Sequence, residues 1–219
     1  MQKQLLNKKF YYSIFIPLTF PVVLWIVYFI SLSLNLDLSR MGILPRDMFG
    51  ILGIISGPIV HANFSHLLSN TIPLIILGWA IFFFYSKVSF KTFILIYVLT
   101  GLLVWLFARE VYHIGASGIV YGIVSFLFFS GIFRRDNKSI SIALIVTFLY
   151  GGIVWGILPG QKGISWESHL FGGIAGIITA FIFRKIEPPK KYDWEDEEDD
   201  FDVDELEVSY DPEKNKFNL

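Results

Sequence analysis

A chain of 219 residues with 54% hydrophobic content, 22 Phe, 6 Trp and a mean hydropathy of +0.58 is too apolar for a soluble globule of its size. It contains no cysteine, which excludes disulfides, thiol catalysis and thiolate metal sites. The formal net charge of −1 conceals a division: residues 1–192 carry 16 Lys+Arg against 6 Asp+Glu, a net +10, whereas residues 193–219 carry 2 against 13, a net −11.

A membrane-spanning helix needs about 20 mostly apolar residues. Six stretches approach that length, at 11–34, 66–85, 90–107, 117–133, 140–158 and 169–183. The first is longer than the ~7–15 apolar residues of a signal-peptide core and has no small-residue cleavage site behind it, so it is expected to remain as an anchor. A long loop, including "LPRDMFGILGIISGP", separates it from the second stretch. Beyond the sixth lies "DWEDEEDDFDVDELE", whose like charges cannot bury enough apolar surface to fold alone. It reads as a solubilising tail, although the interleaved Trp194, Phe201, Val203 and Leu206 leave a docking motif open. The expected organisation is a cytoplasmic N-terminus at 1–10, an all-α six-helix membrane domain at 11–185, and an acidic, disordered cytoplasmic tail at 186–219.

Basic residues sort by loop. Lys3, Lys8 and Lys9 precede the first span, Lys87 and Lys91 follow the second, Arg134, Arg135 and Lys138 follow the fourth, and Arg184, Lys185, Lys190 and Lys191 follow the sixth. The other loops hold only Arg40, Arg46, Arg109 and Lys162, each with Asp37, Asp47, Glu110 or Glu167 nearby. The positive-inside rule then predicts that both termini are cytoplasmic. The second, fourth and sixth helices therefore run inward from the outer side. His66 and Asn70, Ser117, and His169 open those helices and are expected at one depth near the outer face, where polar residues in a membrane usually mark function.

A serine hydroxyl is a weak nucleophile until a base takes its proton, and histidine is the usual base. Ser117 and His169 are that pair if the fourth and sixth helices touch. Gly118 and Gly122 below Ser117, and Gly172 and Gly176 below His169, form small-xxx-small faces that allow close approach in lipid. Acyl transfer also requires donors for the oxyanion. Ser117 at a helix N-terminus offers a backbone N–H with no intrahelical acceptor. His66 and Asn70, four apart on one face, offer side-chain N–H groups, though H-x-x-x-N alone is more often an interhelical hydrogen bond. His61 falls off that face and reads as structural. His113 reads as solvated or interfacial.

"HANFSHLLSN", "GASGIVYG" and "SHLFGGIAG", in that order, resemble the rhomboid family of intramembrane serine proteases over about residues 10–185. The resemblance implies a six-helix bundle of the minimal bacterial form, in the inner membrane, with an active site opening to the outer side. It implies a Ser117–His169 dyad without an acidic third member, Tyr121 packed on the His169 ring, His66 and Asn70 lining the oxyanion hole with Ser117, and no cofactor or metal. Glu167 reads as a solvated loop charge instead of an orienting carboxylate. The implied partners are the lipid bilayer and single-spanning protein substrates with small residues at the cut site and helix-weak segments; no nucleic acid partner is implied, and oligomeric state is not legible. The chain departs from the family in its first external loop, which has Arg46 but no neighbouring tryptophan, and in its acidic tail.

Other intramembrane chemistries fit less well. His61 is followed by Ala62, so no H-E-x-x-H motif is present there, and Asp37, Asp47 and Asp136 fall in loops and not within spans. A transporter would be expected to carry intramembrane charges or broken repeats. The remaining alternative is a non-catalytic rhomboid-like protein that binds membrane segments, a class that lacks the dyad.

Overall fold

The computed structural model describes residues 2–160, 163–186, 209–211 and 214–218. Seven α-helices carry the chain: α1 (Gln2–Ser33), the short α2 (Gly53–Ser56), α3 (Phe64–Phe84), α4 (Ser89–Phe107), α5 (Ser117–Arg134), α6 (Asn137–Tyr150) and α7 (Trp166–Phe183). Six segments are long and apolar enough to span a membrane, and each boundary lies within three residues of the expected one. The fold is the all-helical bundle anticipated, and the chain is an integral membrane protein.

Caps explain the largest boundary differences. Asp136 Oδ1 accepts from Ser139 N at 2.9 Å and Oδ2 from the Ser139 hydroxyl at 2.8 Å, so α6 begins at Asn137. Ser165 caps α7 in the same way, extending it outward to Trp166. The fifth span is not the continuous α-helix expected: after Tyr150 it tightens into a 3₁₀ segment, Gly151–Ile157. Gly151 and Gly152, the weakest helix formers after proline, stand at that break.

At the centre of the bundle α5 packs against α3, α4, α6 and α7. The α5–α7 contact is backbone against backbone. A Cβ on Gly118 would stand 2.9 Å from the Ser168 carbonyl oxygen, and one on Gly122 would stand 3.1 Å from that of Gly172. Conversely, a Cβ on Gly172 would fall on the Gly118 carbonyl, and one on Gly176 on the Gly122 carbonyl. The nearest atoms to a Cβ on Gly172 or Gly176 are α5 main chain and cannot rotate away, whereas Gly118 and Gly122 are nearest the Thr100 and Ile96 side chains of α4. Gly172→Val or Gly176→Val is therefore expected to destabilise the bundle by about 1–3 kcal/mol, because the added methyls force α7 away from α5. Thermal unfolding of the purified variants tests this, and wild-type melting in both would contradict it.

Basic residues at the opposite end from the site close helix termini. Arg134 Nη2 donates to Phe183 O at 2.8 Å and Nη1 to Ile186 O at 2.7 Å, binding the end of α5 to that of α7. Lys138 Nζ likewise donates to Phe84 O at 3.1 Å. Lateral surfaces are apolar, with Phe148 on α6 at 89% exposure, as lipid contact requires.

The loop between α1 and α3 is folded without the expected tryptophan of its own. Trp105, from the end of α4, donates its Nε1–H to Asp47 O at 2.9 Å, and Arg46, at φ +60°, donates to Ala108 O at 2.8 Å. Asp47 Oδ1 in turn accepts from the N–H of Phe49 and of Gly50.

The C-terminal residues form a separate unit. Within it Ser209–Asp211 (β1) pairs antiparallel with Lys216–Asn218 (β2) in a two-stranded hairpin, where the composition suggested no regular structure. Trp194, Phe201, Val203 and Leu206 lie outside the described residues, as do Lys162, Lys190 and Lys191.

Candidate active site

The turn into α5 is built for close approach. Gly115 has φ +95°, and a Cβ there would stand 2.5 Å from His66 Cε1 and 2.6 Å from Nε2, so only glycine fits both the backbone and the space. Its N–H donates to Gly57 O at 2.9 Å, and the next turn places Ser117 at the first position of the helix. There the Ser117 N–H has no intrahelical acceptor. Asn63, extended before α3, accepts from His66 N at 2.9 Å and starts the helix that presents His66 and Asn70.

His61 is buried behind this turn. Its Nδ1–H must donate to Ile59 O, a pure acceptor 3.2 Å away, which leaves the Nε2 lone pair facing Ala116 N at a long 3.5 Å. Its ring meets that of His66 edge-on, with centroids 5.0 Å apart. Burial holds the His61 imidazole down to about 4, and the neighbouring His66 adds to the effect. Because the folded value lies below the ordinary 6.5, His61 contributes stability that is complete above pH ~6.5 and is lost as pH falls from there towards 4. Between pH 7.5 and 4.5 the melting temperature of the protein in detergent should fall more steeply than that of His61→Gln. Parallel curves would show that His61 does not carry this dependence.

Across the cleft, Ser117 Oγ lies 2.8 Å from His169 Nε2. The other ring nitrogen, Nδ1, lies 2.9 Å from Gly156 O. A carbonyl only accepts, so Nδ1 carries the hydrogen and the Nε2 lone pair faces the serine hydroxyl. The orienting group is thus a backbone carbonyl of the 3₁₀ segment. Tyr121 stacks on the imidazole at 4.1 Å between centroids and 6° between planes, and its hydroxyl donates to Ile153 O at 2.7 Å in the same segment. Sequence reasoning missed Ile153 and Gly156, since a main-chain acceptor leaves no mark in residue identity; the Gly151-Gly152 break was the available clue.

Asn70 is buried, and its Nδ2 donor has no hydrogen-bond partner among the described residues. A buried orphan donor is costly. It lines a cleft of about 570 Å³ together with His66, Ser117, Tyr121, Tyr150 and His169. The structure therefore gathers every expected site residue on one cleft or on the helix contact beneath it. It offers a nucleophile–base pair, a fixed tautomer and three N–H groups on adjacent elements.

Two residues depart from the sequence reading. His113 is buried instead of solvated: its backbone exchanges two hydrogen bonds with Ile43, both 2.9 Å, and its ring lies 2.6 Å from Ser165 Oγ through Nδ1 and 3.0 Å from Arg109 O through Nε2. Burial lowers its pKa. Glu167 is buried too, 3% exposed, with Oε1 2.8 Å from Arg109 Nε. It makes no aligned hydrogen bond, so the compensation for its buried charge is the Arg109 guanidinium. Folding of the segment 109–113 against the start of α7, which composition does not reveal, buries both.

Residues 48–186 match the family model of the Rhomboid domain. An uncharacterized protein of Mycobacterium tuberculosis (strain H37Rv) is 38% identical over 178 residues, 75% of this chain and 72% of its own length. One of Mycobacterium leprae is 34% identical over 178 residues, covering 75% and 69%. A Bacillus subtilis (strain 168) protein provisionally named a rhomboid protease is 25% identical over 135 residues, covering 59% and 65%.

Proposed function

The chain belongs to the rhomboid family, and from that premise we propose that it is an intramembrane serine endopeptidase acting by a Ser117–His169 dyad. The observation that carries this reading is the 2.8 Å contact between Ser117 Oγ and a His169 Nε2 whose lone pair is aimed by the bond from Nδ1 to Gly156 O. Ser117 Oγ attacks the scissile carbonyl while His169 Nε2 takes the hydroxyl proton. The oxyanion accepts from the Ser117 N–H, assisted by Asn70 Nδ2 and His66. As the intermediate collapses, His169 returns the proton to the leaving amine and an acyl-Ser117 forms. Water then repeats the sequence in reverse roles and releases the acid. Gly156 O, a neutral acceptor in place of a carboxylate, steadies the imidazolium, and the Tyr121 ring face adds to it.

Substrates on this reading are single-spanning proteins with small residues at the cut site and helix-weak segments, because a helical peptide bond is shielded until it unwinds. The alternative, a rhomboid-like protein that binds membrane segments without cutting them, predicts no acylation. A fluorophosphonate should label the purified wild type and leave Ser117→Ala unlabelled; an unlabelled wild type would favour the binding role.

Orientation follows from the twelve basic residues that sort to one side. Both termini are cytoplasmic in this reading, in a bacterial inner membrane, and the cleft opens outward. Protease added to intact spheroplasts should spare an epitope fused to Leu219. Its digestion while the cells remain sealed would invert the topology.

A further inference from the structure

The Ser117–His169 contact is one of a series between the same two segments. Four residues before each member stand His113 and Ser165, and these are also in contact, 2.6 Å from Nδ1 to Oγ. Both pairs are separated by 52 residues, so they are successive rungs of one ladder. The upper rung is itself held. His113 Nε2–H donates to Arg109 O at 3.0 Å, which leaves Nδ1 to accept from the Ser165 hydroxyl. Ser165 Oγ also accepts from Ser168 N at 3.3 Å and lies 2.7 Å from Ser168 Oγ. A third tie joins the segments beside it: Arg109 Nε meets Glu167 at 2.8 Å and Nη2 donates to Ile164 O at 3.3 Å.

Below the dyad α5 and α7 meet through glycines and through the Ser125 hydroxyl, which donates to Gly173 O at 2.8 Å, and these contacts lie below the outer ends that carry the dyad. The dyad sits at those outer ends, at the first position of α5 and the fourth of α7. We infer that Arg109, Glu167, His113 and Ser165 form a clamp that sets the distance and register of Ser117 and His169, as positioning residues for hydrolysis. This rests on the proposed dyad. None of the four bonds the His169 ring, whose Nδ1 is engaged by Gly156.

The charges in the clamp are unequally placed. The Glu167 side chain is 4% exposed and that of Arg109 53%. Removing Arg109 strands a buried carboxylate, and breaking such a pair from one side is worse than removing both partners. The start of α7 then moves to hydrate Glu167, and His169 moves with it.

The test compares variants of the purified full chain by fluorophosphonate labelling rate, kcat and KM on one transmembrane substrate, and thermal unfolding. Arg109→Gln should lower kcat and labelling together by ~10- to 10²-fold per folded molecule, with KM unchanged, since misplacement of about 1 Å has that effect. Arg109→Lys should recover most of the loss, and Glu167→Gln added to Arg109→Gln should recover part of it. Ser165→Ala should be impaired and Ser165→Thr, which keeps cap and rung, should not. Wild-type labelling and kcat in Arg109→Gln and Ser165→Ala, at any melting temperature, would overturn the clamp, as would a change confined to KM. In those cases the dyad reading survives, because wild type is labelled and Ser117→Ala is not. A wild type that resists labelling would overturn both.

Discussion

Ser117→Ala and His169→Ala should each reduce cleavage of a transmembrane substrate to background, a loss on the order of 10⁵–10⁶-fold if the pair acts as one unit, as in other serine proteases. The reason lies in the geometry of the two side chains. Without Oγ there is no atom to form the acyl-enzyme. Without the imidazole, whose Nε2 lies 2.8 Å away, the hydroxyl keeps its proton. Each deletion removes the whole step, so the double variant should be no worse than either single one. Stability should separate the two: Ser117→Ala removes one partly buried hydroxyl, whereas His169→Ala also forfeits the Tyr121 stack and the bond to Gly156 and should melt lower. Turnover in Ser117→Ala well above background would mean that another residue attacks.

The second expectation concerns the oxyanion donors, where the loss should be large but measurable. Removing one side-chain donor from a preorganised site costs ~10²–10³-fold in turnover, the backbone N–H of Ser117 remaining. Asn70→Ala and His66→Ala should fall in that range, mainly in kcat, because these contacts strengthen only as charge develops on the carbonyl oxygen. The two should differ in stability. Asn70 Nδ2 is already buried without a partner, so its removal strands nothing and the melting temperature should change little. His66 fills the space against Gly115 and beside His61, and its loss should loosen the turn into α5. Full turnover in both variants would return the two residues to a structural role.

Much of this molecule is written locally. Spanning helices are specified by length and apolarity alone, so the six segments and their ends were legible to within three residues. Ser117, His169, His66 and Asn70 stood out as candidates because each is a polar residue at the opening of an apolar span, and the structure brings them to one cleft. Gly118, Gly122, Gly172 and Gly176 were legible because their spacing marks one face of each helix. The hairpin at residues 209–218 was not, since its composition reads as solvated chain.

What the amino-acid order determined by itself, then, was the set of apolar spans and the polar residue types that open three of them, for both are properties of short contiguous segments. Only the tertiary structure decided how those residues are held. That Gly156 O fixes the His169 tautomer, that Trp105 supports the first loop, and that Glu167 and His113 are buried against Arg109 and Ser165 all depend on loops distant in sequence coming together. The physical reason is that every residue carries the same carbonyl and amide, and a charge at a helix end is solvated until a segment distant in sequence covers it.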